Sequence, residues 1–248
     1  MKSKSVMLSL AATIIAACAM TALGEGATIK GKVTYKGNPP KNSGPKIKNM
    51  QGADPVCAAM HPSGARQEWI MVDSATGGLR DVFVYVKSGL PNKKWDVPSE
   101  QVVLNQKGCM YTPHIFGVMA GQEILIKNSD GTAHNIHALP KINAEFNKAQ
   151  PRKGMEMVQS FKTAEMSVKI KCDVHPWMAA WAHVMDHPFH ATTGADGTFE
   201  ISGLPAGEYV IEAWTEKMGT QTMTVKVGDG ETKEDIAFSF ERKRKKKG

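Results

Sequence analysis

The sequence predicts an all-β protein. Short stretches in which apolar and polar residues alternate recur between Gly, Pro and Asn residues, as expected for strands separated by turns. No segment shows the long apolar repeat of 3.6 residues that marks an amphipathic helix. The composition, with 42% hydrophobic and 22% charged residues among 248, is that of a globular chain, and so many short strands favour β-sandwiches.

Eleven segments carry the strand pattern, and polar stretches rich in Lys, Asn, Pro and Gly separate some of them. The polar ranges 36–66 and 140–160 predict long loops, with a short helix around Lys141–Lys148. The predicted strands are Ala27–Tyr35, Glu68–Val72, Asp81–Lys87, Gln101–Leu104, Glu123–Lys127, Ser167–Lys171, Trp181–Met185, Thr198–Ile201, Tyr209–Trp214, Gln221–Val227 and Asp235–Phe240.

The two ends of the chain carry its net charge. Residues 1–24 predict an export signal, because a basic start is followed by an apolar run and small residues; cleavage after Gly24 and lipidation of Cys18 both fit. The formal net charge is +7, but two charges lie in the signal and six in the basic tail 242–248, so residues 25–241 carry −1. This near-neutral body argues against a nucleic-acid partner, and the tail or a lipidated Cys18 would serve as a membrane tether.

Three cysteines remain once the signal is set aside: Cys57, Cys109 and Cys172. An oxidising compartment favours pairing two of them. Cys57 and Cys109 both lie in loop-like surroundings rich in Gly and Pro, and we predict a disulfide between them. Two buried, unpaired thiols are the alternative.

Between its ends the chain divides into three predicted parts, which are an N-terminal β segment (25–78), a region with metal-binding motifs (79–186) and a C-terminal β region (187–241). In the last part, Gly197–Ile201 and Leu204–Val210 combine turn residues with alternating apolar side chains. These residues resemble the carboxypeptidase-regulatory-like (transthyretin-like) β-sandwich module. The resemblance implies a smaller sandwich in which the N-terminal and C-terminal parts pack together around an inserted middle region.

The pattern that carries most chemistry follows a predicted strand and reads Cys172-Asp173-Val174-His175-Pro176-Trp177-Met178. Another predicted strand, Glu123–Lys127, ends in a turn that leads to His134. Two imidazoles and a thiolate with a weak axial thioether are the donor set of blue-copper sites. Soft sulfur suits Cu(I) and imidazole suits Cu(II), so one fixed geometry serves both oxidation states.

Asn128, Asn135 and Phe161 occupy matching positions around this donor set, and residues 81–186 resemble the cupredoxin family of type 1 copper proteins. The resemblance implies a Greek-key β-sandwich in which Asn135 hydrogen-bonds between the two ligand loops and orients them. It also implies one type 1 copper, with the ligands His134, Cys172, His175 and Met178.

The same resemblance implies an exported, periplasmic or secreted carrier that passes single electrons between redox partners, such as a cytochrome or a dehydrogenase. The chain contains no G-x-S-x-G elbow, Walker loop, H-E-x-x-H or dinucleotide fingerprint, and we expect no enzymatic turnover. In small copper proteins an apolar surface around an exposed ligand histidine docks the partner. Trp177, next to His175, is either part of such a surface or a cap on the core.

Several alternatives stay open at this point. His137 could replace His134 as a ligand, because the spacing does not exclude it. A further group of histidines holds a second metal or has structural and surface roles; its members are His114, His183, His187 and His190. The whole protein could instead store copper without a redox partner, or act as a cell-envelope binding module.

Overall fold

The computed structural model describes residues 26–48 and 50–242. The predicted export signal, including Cys18, and the basic tail beyond Arg242 lie outside the described residues. Nearly all of the regular secondary structure in the described chain is strand, which confirms the all-β prediction. None of its helices is both long and apolar enough to cross a bilayer.

Strands follow one another along the described chain, with two short helices after the first strand. In chain order, the elements are β1 Ala27–Tyr35, α1 Met50–Ala53, α2 Pro55–Met60, β2 Met71–Val72, β3 Leu79–Arg80, β4 Phe83–Ser88, β5 Val102–Lys107, β6 Met110–Thr112, β7 Ile115–Met119, β8 Ile124–Asn128, β9 His134–Leu139, β10 Phe146–Gln150, β11 Glu156–Gln159, β12 Glu165–Lys171, β13 Ala179–Met185, β14 His190–Thr192, β15 Thr198–Leu204, β16 Gly207–Thr215, β17 Gly219–Val227 and β18 Thr232–Phe240.

The first sandwich consists of two sheets, with strand orders β10-β9-β12-β13-β7 and β11-β8-β5-β6. Alternate residues of both sheets point inward, as the period of two along a strand requires. Leu104 and Ile126 from one sheet share a buried core with Ile136 and Ile170 from the other.

The second sandwich consists of sheets ordered β15-β1-β18 and β14-β4-β16-β17. The N-terminal strand β1 lies between β15 and β18, antiparallel to the first and parallel to the second. The first sandwich does not begin at residue 79, the boundary predicted from the sequence. Strand β4 pairs with β14 and β16 of the second sandwich and not with strands of the first. Val84 and Val86 of β4 enter the core of the second sandwich, whereas Phe83 and Tyr85 face Ile115 and Met185 of the first.

A segment that we call the strap, residues 43–67, leaves the second sandwich and covers one end of the first. Its two ends lie side by side, since the N–H of Ile47 donates to the carbonyl of Ala65 and that of Gln67 to Pro45 (2.9 and 3.0 Å). The strap contains α1 and α2, where a loop was predicted, and Ile47, Met50 and Cys57 enter the core of the first sandwich.

The short helix predicted around Lys141–Lys148 is wrong. The Glu165 carboxylate accepts the backbone N–H groups of Ile142 and Asn143 (3.1 and 3.0 Å), which fixes this stretch as a turn. The chain then continues as β10, which pairs with β9 and packs Phe146 against the core. A carboxylate distant in sequence therefore outweighs the local helix propensity.

Candidate metal centre

Three elements of the first sandwich place the candidate ligands at one end of its core. His134 is the first residue of β9, and Cys172 directly follows β12, the strand that pairs with β9. The loop 172–178 folds back on itself, because the N–H of Met178 donates to the carbonyl of His175 (2.9 Å) and that of Cys172 to Met178 (3.3 Å). These backbone contacts fix the positions from which the side chains of Cys172, His175 and Met178 extend.

The donor atoms of His134, Cys172 and His175 converge. The two Nδ1 atoms lie 2.9 Å apart, and the Cys172 Sγ lies 3.9 Å from Nδ1 of His175. One donor atom of each of the three residues lies within 4.8 Å of the others, and all three residues are buried. A metal ion with bonds of about 2.0 to 2.3 Å would separate its ligand atoms by roughly these distances.

Met178 stands at the end of the same loop and is fully buried in the core that contains Cys172. Its backbone N–H and carbonyl contact His175 and Cys172, so this thioether belongs to the same tight loop as those two donors. The structure thus brings together the donor atoms of His134, Cys172 and His175, and it buries Met178 in the loop that carries two of them.

Asn135 ties β9 to the ligand loop. Its Oδ1 accepts the N–H groups of Asp173 and Val174 (2.7 and 3.3 Å) and lies 3.3 Å from the Cys172 Sγ. Its Nδ2 donates to Asn147 and Asp173 on the outer side. Asn135 therefore fixes the loop that carries three candidate ligands, which is the orienting role expected from the sequence.

On the side of its ring away from the donor cluster, each candidate ligand histidine contacts a carboxylate that the sequence analysis missed. Nε2 of His134 lies 2.9 Å from Oδ2 of Asp130, and Nε2 of His175 lies 3.2 Å from Oδ2 of Asp54. An ionised carboxylate only accepts hydrogen bonds, so both Nε2 atoms carry hydrogen. In the neutral ring, Nδ1 then has a free lone pair that faces the ligand cluster.

Charge is concentrated around this cluster. Burial favours the uncharged thiol and so opposes ionisation of Cys172, but hydrogen bonds from His134 and His175 outweigh it and lower the pKa of Cys172 to about 6. Burial also opposes protonation of His134, yet Asp130 and Cys172 raise its pKa to about 9. These electrostatics therefore favour a thiolate and a positive charge side by side in this cluster.

A disulfide joins Cys57 of the strap to Cys109 in the turn between β5 and β6, with a Cα–Cα distance of 5.6 Å. It lies against the metal centre, since the Cys57 Sγ is 3.5 Å from Nε2 of His175. Only 1% of His175 and 6% of Trp177 is exposed, and the Trp177 Nε1 donates to the Cys109 carbonyl (3.0 Å). Of the two roles open for Trp177, the structure supports a cap on the core and not an exposed docking surface, because the strap covers this edge.

The other histidines lie elsewhere. His137 is two residues beyond His134 on β9. Its two nitrogens pair with Asp173 and Glu145 (2.9 and 2.7 Å), and it stays outside the cluster. Within residues 26–48 and 50–242, the groups of three or more candidate donors leave out His114, His183, His187 and His190.

Those four histidines occupy the boundary between the sandwiches. His114 bridges the Ala179 carbonyl and the Glu216 carboxylate (3.0 and 2.8 Å), and His187 contacts the carbonyl of Val86 (2.9 Å). Phe83 stacks on His183 at 4.2 Å and lies 5.3 Å from His190, as ring centroid distances. These contacts are those of packing residues.

Comparison with solved structures finds cupredoxins. A purple cupredoxin from Nitrosopumilus maritimus is 19% identical over 34% of this chain and 100% of its own, with a TM-score of 0.30. A Cu(I) variant of amicyanin is 18% identical over 41% of this chain and 98% of its own, with a TM-score of 0.31. The copper-containing nitrite reductase from Thermus scotoductus SA-01 is 15% identical over 38% of this chain and 25% of its own, with a TM-score of 0.30.

No family model matches the sequence, and no curated protein matches it. Because the TM-scores are low, the case for a function rests on the donor atoms and not on these likenesses.

Proposed function

We propose that this protein is an exported type 1 copper protein that carries single electrons between redox partners. The observation that carries the proposal is the meeting of two Nδ1 atoms, 2.9 Å apart, beside a buried thiol. Two imidazole nitrogens at this distance need a positive charge between them, which either a proton or a metal ion supplies. The ionisable thiol beside them makes this donor set suited to a soft metal ion.

His134, Cys172 and His175 would be the strong ligands, with Met178 as the weak one. When bound, copper supplies a one-electron couple between Cu(II) and Cu(I). Asp54 and Asp130 hold the protons on the outer nitrogens, so both rings keep the tautomer that a metal needs. Asn135 holds the loop at a fixed distance from β9, and burial of every donor keeps water from entering the ligand set.

The same residues argue for transfer of electrons without turnover of a substrate. His134, Cys172 and His175 are each about 1% exposed, so the centre offers no open position for a substrate. A buried disulfide supports a periplasmic or secreted location, where disulfides persist. The redox partner, cytochrome-like or dehydrogenase-like, would have to approach through the strap or around its edge.

A copper titration tests this function. Cu(II) added to the purified protein should produce an intense thiolate-to-copper band in the visible spectrum with one copper per chain. Cys172→Ser should abolish the band, whereas His137→Ala, which removes an imidazole next to the site, should leave it intact. Copper bound without the band would indicate storage in place of electron transfer, and no binding would leave only a structural role.

A further inference from the structure

We infer, on the basis of the proposed electron-transfer function, that the redox partner docks where the ligand loop reaches the surface beside β9 and β10. This surface, which we call the loop face, is formed by Asp173 and Val174 of the loop, Asn147 of β10, and Arg152 and Lys153 of the turn that follows β10. The partner that fits the loop face is a redox protein with an acidic docking surface.

The loop face is where the buried thiol is nearest along the chain to exposed residues. Cys172 is 1% exposed, whereas Asp173 and Val174, which directly follow it, are exposed, Val174 by 52%. The strap and the disulfide close the other side of the loop, because they bury His175 and Trp177. A partner at the loop face therefore contacts residues adjacent to a candidate ligand without displacing the strap.

Hydrogen bonds also connect the thiol to the loop face. Oδ1 of Asn135 lies 3.3 Å from the Sγ of Cys172, and Nδ2 of Asn135 donates to Oδ1 of Asn147 (2.7 Å). Asn147 is exposed, and its own Nδ2 donates to the carboxylate of Asp173 (2.7 Å). These bonds fix the loop face before any partner arrives, so docking there costs little ordering of side chains.

The turn between β10 and β11 brings positive charge to the loop face. It follows Gln150, which pairs with His134, so the turn lies at the ligand end of the sheet. The N–H of Gly154 donates to the carbonyl of the last residue of β8 (2.7 Å) and holds the turn in place. Arg152 and Lys153 are exposed, and neither forms an ion pair with another described residue.

The carboxylates near the loop face already have partners within the chain. Asp173 contacts Nζ of Lys171 (2.7 Å) and Nδ1 of His137 (2.9 Å), and Glu145 contacts Nε2 of the same histidine (2.7 Å). The two cations of the turn therefore lack a counter-charge of their own. Complementary charge steers two proteins together and fixes their register, so an acidic partner surface fits here.

A redox-inert trianion, hexacyanochromate(III), tests the location of the docking surface. It is paramagnetic, so it broadens the nuclear magnetic resonance signals of the amides near which it binds. It is added at low ionic strength, where charges are weakly screened, to the reduced, copper-loaded protein. We expect broadening of the amides of residues 149–154 and 171–174, with those of the strap left sharp.

Hexacyanoferrate(III), a reactive trianion, tests the charge. It takes one electron from the reduced protein and becomes hexacyanoferrate(II), and the return of the blue band gives the rate. The double variant with Arg152→Gln and Lys153→Gln should react about 3- to 10-fold more slowly at low ionic strength and lose the broadening. The matched control, with Lys94→Gln and Lys226→Gln, removes the same charge from exposed lysines elsewhere and should keep the broadening and most of the rate.

Broadening centred on the strap would overturn the inference, and so would equal rates for the double variant and the wild type. An equal loss of rate in the control variant would overturn it too, because net charge and not the loop face would then set the rate. The blue band is recorded before either trianion is added. Its absence would contradict the electron-transfer function itself, so the two failures are distinguishable.

Discussion

The structure contains two groups of buried or half-buried histidines in opposite electrostatic surroundings. At the metal centre, His134 and His175 face carboxylates on one side and a thiol on the other. At the boundary between the sandwiches, His183 and His190 lie among aromatic rings. Neither nitrogen of His183 finds a hydrogen-bond partner among the described residues.

The pKa values follow these surroundings. Burial lowers the pKa of His183 to about 3 and that of His190 to about 4, because no carboxylate offsets the desolvation. Around His134, burial acts in the same direction, but Asp130 and Cys172 reverse it and raise the pKa to about 9. Burial alone therefore does not make a buried histidine a metal ligand; supporting charge distinguishes the two groups.

Replacement of one histidine from each group tests this distinction most strongly. His134→Ala should abolish the blue band, since it removes a donor from the cluster. His183→Phe should leave the band and the copper stoichiometry unchanged, because its ring packs against Phe83 and Trp214 and lies outside the donor cluster. Visible spectra after Cu(II) addition measure both, and loss of the band in His183→Phe would show that the two groups are coupled.

A smaller effect is expected from the carboxylate behind the ligand. Asp130→Asn keeps the shape but removes the charge that supports His134, so copper affinity should fall about 10- to 100-fold. Chelator competition measures this change. Asp186→Asn is the matched control, because its exposed carboxylate lies 4.0 Å from Nε2 of His187 in the other group and should not change the affinity. Equal affinity in Asp130→Asn would remove the assigned role of this charge.

Most strands could be predicted from alternation, because one face of each is buried. Strands β3, β6, β7, β9 and β14 escaped prediction. So did β10 and β11, in which Lys148 and Glu156 are exposed and the segments are mainly polar. β10 and β11 are held in their sheets by backbone hydrogen bonds to β9 and β8, and such bonds leave no pattern among the side chains. The boundary at residue 79 failed because β4 is buried on both faces and shows no alternation.

The candidate ligands could be predicted because Cys172, His175 and Met178 lie within one loop. Asp130 could have been found from its place four residues before His134, in the turn that leads to β9. Asp54 could not, since 121 residues separate it from His175. Its local pattern, an Asp before Pro55, indicates only the start of a helix. The path of the strap across the sandwich has no signal in the sequence.

The smallest expected effect concerns stability in acid. His183 has a folded pKa of about 3, below the value of about 6.5 in an unfolded chain. The unfolded state therefore takes up the proton first, and stability is full above pH 6.5 and falls as the pH drops toward 3. Between pH 7 and pH 5 this histidine alone should cost roughly 2 kcal/mol of unfolding free energy.

His183→Phe should remove that loss, because phenylalanine takes up no proton and can stack on Phe83 in place of the imidazole. Urea unfolding of the metal-free protein at the two pH values measures the difference. His137→Gln is the control, since carboxylates raise the pKa of His137 and its contribution to stability has the opposite dependence on pH. If His183→Phe loses as much stability in acid as the wild type, the ring is solvated and the contrast between the two histidine groups does not hold.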